Sequence, residues 1–215
     1  FSADTRPGVE RVHRIRFSNY DALTNVDLIG ALGGQLPPEA EPVDALYLVC
    51  THGKRDQCCA LYGQTVYRAL GAVRPLDTWQ SSHLGGHRFA PTAVVFPQGF
   101  HLGRLESDDM AALADAHDAG RLHDLSTVRG RTAYPAAAQA AESLVRVRDS
   151  LLGYSDVLVE SFQRVDLAQW TAGMLVGGKR ESVSITATRE ATPIHKSCTK
   201  PDTTFAWSYA LDPSS

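Results

Sequence analysis

Apolar and polar positions change period along this chain, and the changes mark its elements. Arg11 to Phe17 alternates basic and apolar residues, which predicts a strand with one buried face. Gly30 to Pro42, rich in Gly, Pro and Glu, predicts a loop. Ala45-Leu-Tyr-Leu-Val-Cys50 is a short unbroken apolar run of β-formers, the pattern of a strand buried on both faces. Asp56 is placed to cap a helix reaching about Leu70, with Leu61, Tyr62, Val66, Ala69 and Leu70 as its apolar stripe; Gly71 and Pro75 stop it. Thr92–Phe96 and Phe100–Leu105 flank Pro97-Gln98-Gly99 and predict a β-hairpin. Ser107-Asp108-Asp109 opens another helix with acidic residues where its dipole favours them, and Gly120 ends it. Pro135 opens a further helix that Gly153 closes. Strand-like runs follow at Val157–Phe162, Thr171–Val176, Val183–Thr188 and Phe205–Leu211, with Gly177-Gly178 turning between the middle pair.

Strand, helix, hairpin, helix is the core order of a thioredoxin-like fold. The expected class is α/β, α+β overall, in three parts: an N-terminal strand and loop over 1–42, the thioredoxin-like core over 43–120, and a C-terminal helix with antiparallel strands over 121–215. A chain of 215 residues, 43% hydrophobic and 21% charged, has the composition of an ordinary globular protein with room for one sizeable core. The net charge of −3 and the lack of a Lys/Arg run argue against a general nucleic-acid binder. No apolar stretch approaches the roughly 18 residues that span a bilayer. The start at Phe1 lacks an initiator Met, so a processed terminus or a longer native N-terminus is expected. Four cysteines, with no disulfide framework for this length, lead us to expect a reducing, cytoplasmic setting and thiols committed to metal or redox work.

The chemistry concentrates in two clusters: Cys50-Thr-His-Gly-Lys-Arg-Asp-Gln-Cys58-Cys59 and His83-Leu-Gly-Gly-His87. Soft thiolates with imidazoles suit a transition metal or an iron–sulfur cluster. The cysteine gap is wide for a zinc finger, where ligands usually stand two to four residues apart. Gly85 and Gly86 make a helix through the histidines costly, so two loops meeting in space is the expectation. Cys50 ends a strand, while Cys58 and Cys59 fall in the first turn of a helix, where free amides and the dipole stabilise a thiolate. As neighbours, Cys58 and Cys59 do not both belong to one site, and spacing alone does not choose between them.

Those strings, together with His87-Arg-Phe-Ala and Phe96-Pro-Gln-Gly-Phe-His-Leu-Gly-Arg104, resemble the sucrase/ferredoxin-like family, densely from Ala45 to Leu105. The resemblance implies a thioredoxin-like [2Fe-2S] ferredoxin core. Carried over position by position, it implies Cys50, Cys59, His83 and His87 as ligands. Two neutral imidazoles in place of two thiolates leave such a centre less negative, which implies a raised potential and coupling of electron to proton transfer. No carboxylate pair supports the glycosidase that the family's older "sucrase" label suggests.

The implied function is one-electron transfer, with a flavin-containing reductase or a terminal acceptor as redox partner. A reductase of a small acceptor such as a ferric chelate is the alternative enzyme reading, and a structural zinc Cys2His2 protein the alternative outside redox chemistry. A thiol redox enzyme lacks its Cys-x-x-Cys motif here. Lys54, Arg55, Arg88 and Arg104 are candidates for a basic collar that steers an anionic partner. His52, His101 and His195 are read as supporting, surface or core residues, with His52 the best placed to wrap the site. Cys198 is expected to be a free thiol. Trp79, Phe89 and Phe96 are expected to keep the centre dry, and Trp170 and Trp207 to be core.

Overall fold

Leu46–Cys50 is the strand about which the rest is organised: Tyr47, Val49 and Cys50 are wholly buried. The computed structural model describes residues 1–212. In chain order the elements are β1 (Ser2–Asp4), β2 (Arg11–Arg14), α1 (Tyr20–Thr24), α2 (Leu28–Leu32), β3 (Glu41–Val43), β4 (Leu46–Cys50), α3 (Gln57–Val73), β5 (Thr78–Ser81), β6 (Thr92–Phe96), β7 (Phe100–Gly103), α4 (Met110–Asp118), β8 (Val128–Arg131), α5 (Ala136–Asp149), β9 (Val157–Asp166), β10 (Gln169–Val176), β11 (Lys179–Ser197) and β12 (Lys200–Leu211).

One sheet runs β5-β4-β6-β7-β8. The crossover through α3 makes β5 parallel to β4, whereas β6, β7 and β8 join antiparallel. Strand, helix, parallel strand, antiparallel hairpin and helix, with β4 interior to the sheet, is a thioredoxin-like arrangement. Tyr47, Val49, Ala93, Val95, Phe100 and Leu102 from the sheet pack with Val66 and Leu70 of α3 and Met110, Leu113 and Ala114 of α4. A second core lies between α5 and the sheet β12-β11-β10-β9: Ala141 and Val145 meet Val157, Ala172, Met174, Val183 and Ile185. Among the described residues no helix is long and apolar enough to cross a membrane.

A buried charge network ties the two cores. Glu142 Oε1 on α5 accepts from Arg146 Nη2 at 2.9 Å and from Arg131 Nη2 of β8 at 3.1 Å. The two guanidinium groups also donate to the Tyr154 carbonyl at 3.0 and 2.7 Å. All three charged side chains are at most 1% exposed, so each is tolerable only because the others are there.

Several local expectations change. The buried stripe of α3 is Cys59, Gly63, Val66 and Leu70, at spacings of a single narrow helical face. Leu61 and Tyr62 are 67% and 52% exposed. Gly63 explains the offset: a Cβ there would stand 2.1 Å from the Cys50 carbonyl oxygen, so the helix rides directly on the end of β4. The strand read to Phe17 stops at Arg14, and the supposed loop Gly30–Pro42 overlaps α2 and β3 at its ends. Trp207, expected in the core, is 53% exposed, and Trp79 is exposed against Phe1.

β11 and β12 run far beyond the expected strands. Past Thr186, β11 has no partner in β10 and pairs only with β12, so the hairpin projects as a two-stranded arm whose tip is Ser197–Lys200. That arm reaches back to the start of α3.

Two substitutions on one helix test this packing. Gly63→Ala is expected to destabilise the protein by about 1–3 kcal/mol through overpacking against backbone. Gly71→Ala, with open space around its Cβ, is expected to stabilise it by about 0.4–1 kcal/mol. Urea unfolding of the two variants should therefore give opposite shifts in midpoint.

Candidate metal centre

Two loops supply the site because β4 and β5 are parallel neighbours and end side by side. The first leaves β4 at Cys50 and enters α3 at Gln57; the second leaves β5 at Ser81 and enters β6 at Thr92. Thr51 ties them, its N–H donating to the Ser81 carbonyl at 3.4 Å and its hydroxyl to Gln80 Oε1 at 2.9 Å. His52 Nδ1 accepts from the His83 backbone N–H at 3.2 Å, so His52 braces the second loop. Gly85 and Gly86 both take positive φ, which turns the chain between the histidines as no helix would.

The fold brings the Cys50 and Cys59 sulfurs and a ring nitrogen of His83 within 4.8 Å of one another. His83 Nδ1 is 3.9 Å from Cys59 Sγ, and both cysteines are at most 1% exposed. His87 does not join that group. Its Nδ1 lies 3.8 Å from Asp56 Oδ1 and its Nε2 lies 3.2 Å from the His195 carbonyl.

Asp56 stands between the histidines, 1% exposed. It occupies the N-cap position of α3 but makes no capping hydrogen bond. Oδ1 accepts instead from Ser197 Oγ at 2.7 Å and from the Cys198 N–H at 2.8 Å, across to the tip of the arm. Oδ2 is buried without a hydrogen-bond partner and faces His83 Nε2 at 3.7 Å. A carboxylate behind an imidazole is the usual device that orients a metal-binding histidine.

The protonation states follow from these contacts. Burial, then the neighbouring Cys50 thiol, push the Cys59 thiol far up, so it ionises only if a cation supplies the missing charge. Burial lowers His83 despite the opposing pull of Asp56, which keeps the ring neutral and its lone pair available. Burial raises Asp56, but the hydroxyl of Ser197 and the N–H of Cys198 outweigh it and hold the carboxyl below its ordinary range. Two buried thiols, a neutral imidazole and a carboxylate oxygen awaiting a partner fit a transition metal or an iron–sulfur group.

Around this set, Cys58 Sγ donates to the His87 carbonyl at 3.5 Å. Lys54 and Arg55 are exposed at the rim. Arg88, Arg104 and Arg129 place their guanidinium carbons 4.7, 5.4 and 4.6 Å from the centre of the Phe89 ring. None of these three arginines has an ion-pair partner among the described residues. His195 contributes its carbonyl, and His101 sits beneath the Gly86 turn. Sequence reasoning gave Asp56 a local capping role and missed Ser197 and Arg129. The only available signal was that Lys196-Ser-Cys-Thr-Lys200 is a polar turn between strand-like runs.

A protein-family model described as Sucrase/ferredoxin-like matches residues 6–130, more than half of the chain. Altered inheritance of mitochondria protein 32 of Meyerozyma guilliermondii is 31% identical over 87 residues, which cover 36% of this chain and 31% of that protein. The chain thus matches about a third of the length of that relative. Among solved structures, the thioredoxin-like [2Fe-2S] ferredoxin from Aquifex aeolicus aligns at TM-score 0.36 and 16% identity, over 42% of this chain and 94% of that one. A cysteine-to-serine variant of the same ferredoxin aligns at TM-score 0.36 and 15% identity, over 40% and 99%.

Because the folded-state pKa of Asp56 is depressed, its stabilisation is present above the unfolded value near pH 4 and is lost as pH falls through the folded value. Asp56→Ala is expected to cost about 1–3 kcal/mol at neutral pH by stranding the Ser197 and Cys198 donors. Urea titrations should show the gap between wild type and variant narrowing below about pH 4.

Proposed function

The chain belongs to the sucrase/ferredoxin-like family, and from that premise we propose that it is an electron-transfer protein whose centre is a [2Fe-2S] cluster held by Cys50, Cys59, His83 and His87. The observation that carries the reading is the convergence of two buried sulfurs, from the end of β4 and the first turn of α3, with the His83 imidazole of the second loop. Bound there, such a group takes up and returns one electron, at a potential raised by replacing two thiolates with neutral imidazoles.

The chain's own residues do the rest. Burial keeps water from the thiolates and leaves the histidine side nearer the surface: the side chains of His83 and His87 are 23% and 16% exposed. With Nδ1 of His83 turned to the sulfurs, Nε2 is the nitrogen left to carry the proton, and it faces Asp56 Oδ2 at 3.7 Å. Electron uptake strengthens the hold on that proton, so the potential falls as pH rises past the pKa of the oxidised state. Arg88, Arg104 and Arg129, gathered on Phe89 two residues from His87, make an unpaired positive face. It supports an acidic redox protein, such as a flavin-containing reductase, as the partner. The same face favours the second reading, delivery of electrons to a small anionic acceptor such as a ferric chelate.

Purified protein is expected to be red-brown, with about two irons and two sulfides per chain. His83→Ala or His87→Ala should lose or retune the absorption, and Cys58→Ser should keep it. A colourless protein with a single zinc would overturn the reading. The midpoint potential should fall by up to about 59 mV per pH unit over part of the range from about pH 6 to about pH 10; a flat line across it contradicts the proton coupling.

A further inference from the structure

Cys58 and Cys198 are not used by the proposed centre, and 140 residues of chain separate them, yet the fold sets them side by side. Their sulfurs and an Asp56 carboxylate oxygen all lie within 4.8 Å of one another. The Cys58 backbone N–H donates to Cys198 Sγ at 3.5 Å. The arm tip is held there by more than this contact. Ser197 Oγ and the Cys198 N–H both donate to Asp56 Oδ1, and the hydroxyls of Ser197 and Thr199 each reach the Arg55 carbonyl at 3.4 Å. Cys198 is exposed and Cys58 is half-buried behind it, so one sulfur meets reagents first and the other waits within reach.

We propose that Cys58 and Cys198 form a second redox site, a dithiol that closes to a disulfide by exchange with low-molecular-weight disulfides and latches the arm over the histidine side of the centre. The steps balance. Cys198, as thiolate, attacks one sulfur of R–S–S–R, forming a mixed disulfide and releasing the first thiol. Cys58 gives up its proton and attacks the Cys198 sulfur, releasing the second thiol. The two cysteines lose two electrons and two protons, which leave as two molecules of R–SH. The two sulfurs close from within 4.8 Å to bond length, about 2 Å, and the movement falls on the exposed Cys198 side of the hairpin tip. The latch reaches the centre because the arm that carries Cys198 also sets the His195 carbonyl on His87 Nε2. In the dithiol state no covalent bond holds the tip at this loop.

The full chain is incubated with oxidised glutathione, remaining thiols are alkylated, and unreduced digests are read by mass spectrometry. A peptide linking Cys58 to Cys198 is expected in the wild type. Cys198→Ser should leave Cys58 alkylatable, and Cys58→Ser should trap Cys198 as a stable glutathione adduct. Backbone hydrogen exchange over 191–203 should slow about tenfold or more on oxidation of the wild type and not of Cys58→Ser. A lasting glutathione adduct on wild-type Cys198, linkage of Cys58 to Cys50 or Cys59, unchanged exchange over 191–203, or a metal ion lost with Cys198→Ser would each overturn the proposal. Colour and iron are read on the same samples: a colourless protein that forms the link counts against the cluster alone, and a coloured one that does not counts against the latch alone.

Discussion

The buried carboxylate of Asp56 is where three distant parts of the chain are made to agree. Burying a carboxylate to 1% exposure is costly unless it is hydrogen-bonded. One oxygen takes two donors from the arm tip, and the other looks at the ring of His83, with His87 close by. The start of α3, the glycine turn of the second loop and the tip of the β11–β12 arm are thus fixed relative to one another by a single side chain. Of the two buried sulfurs, that of Cys59 lies one short step along the same helix and that of Cys50 at the end of β4.

The rest of the architecture serves that junction. Gly63 lets α3 press on the Cys50 carbonyl, which keeps the Cys50 and Cys59 thiols adjacent. The Arg131–Glu142–Arg146 network clamps α5 to β8, and α5 packs on the sheet that carries the arm, so the root of the arm is set by one core and its tip by the other. Electrostatics divides the surface around the histidines. The thiols are buried, while the Phe89 side gathers three guanidinium groups that repel one another.

What could be read in the sequence was whatever carried an unbroken apolar run or a strong turn. The β4 strand, the β6–β7 hairpin, the helices α3 to α5 and the Gly177-Gly178 turn are all of that kind. Short edge strands escaped. Thr78-Trp-Gln-Ser and Val128-Arg-Gly-Arg have too few apolar residues to alternate, and their partners decide them. The arm escaped because both of its faces meet solvent over residues 189–192, where no hydrophobic period can arise. The helix stripe was misjudged at Leu61 and Tyr62 because a glycine, which carries no hydrophobic signal, marks the buried face. The cysteine and histidine motifs pointed to a centre, but Asp56 read as a capping and ion-pair residue of its loop or as a partner-binding one. Its partners, Ser197 and Cys198, lie more than a hundred residues away, and no local rule joins them.

The most direct measurement of the central claim is the Mössbauer spectrum of protein from cells grown on enriched iron. If, as proposed, the two cysteines hold one iron and the two histidines the other, the irons stand in unlike environments and give two quadrupole doublets of equal area. A single doublet, or a protein that carries no iron at all, would contradict it.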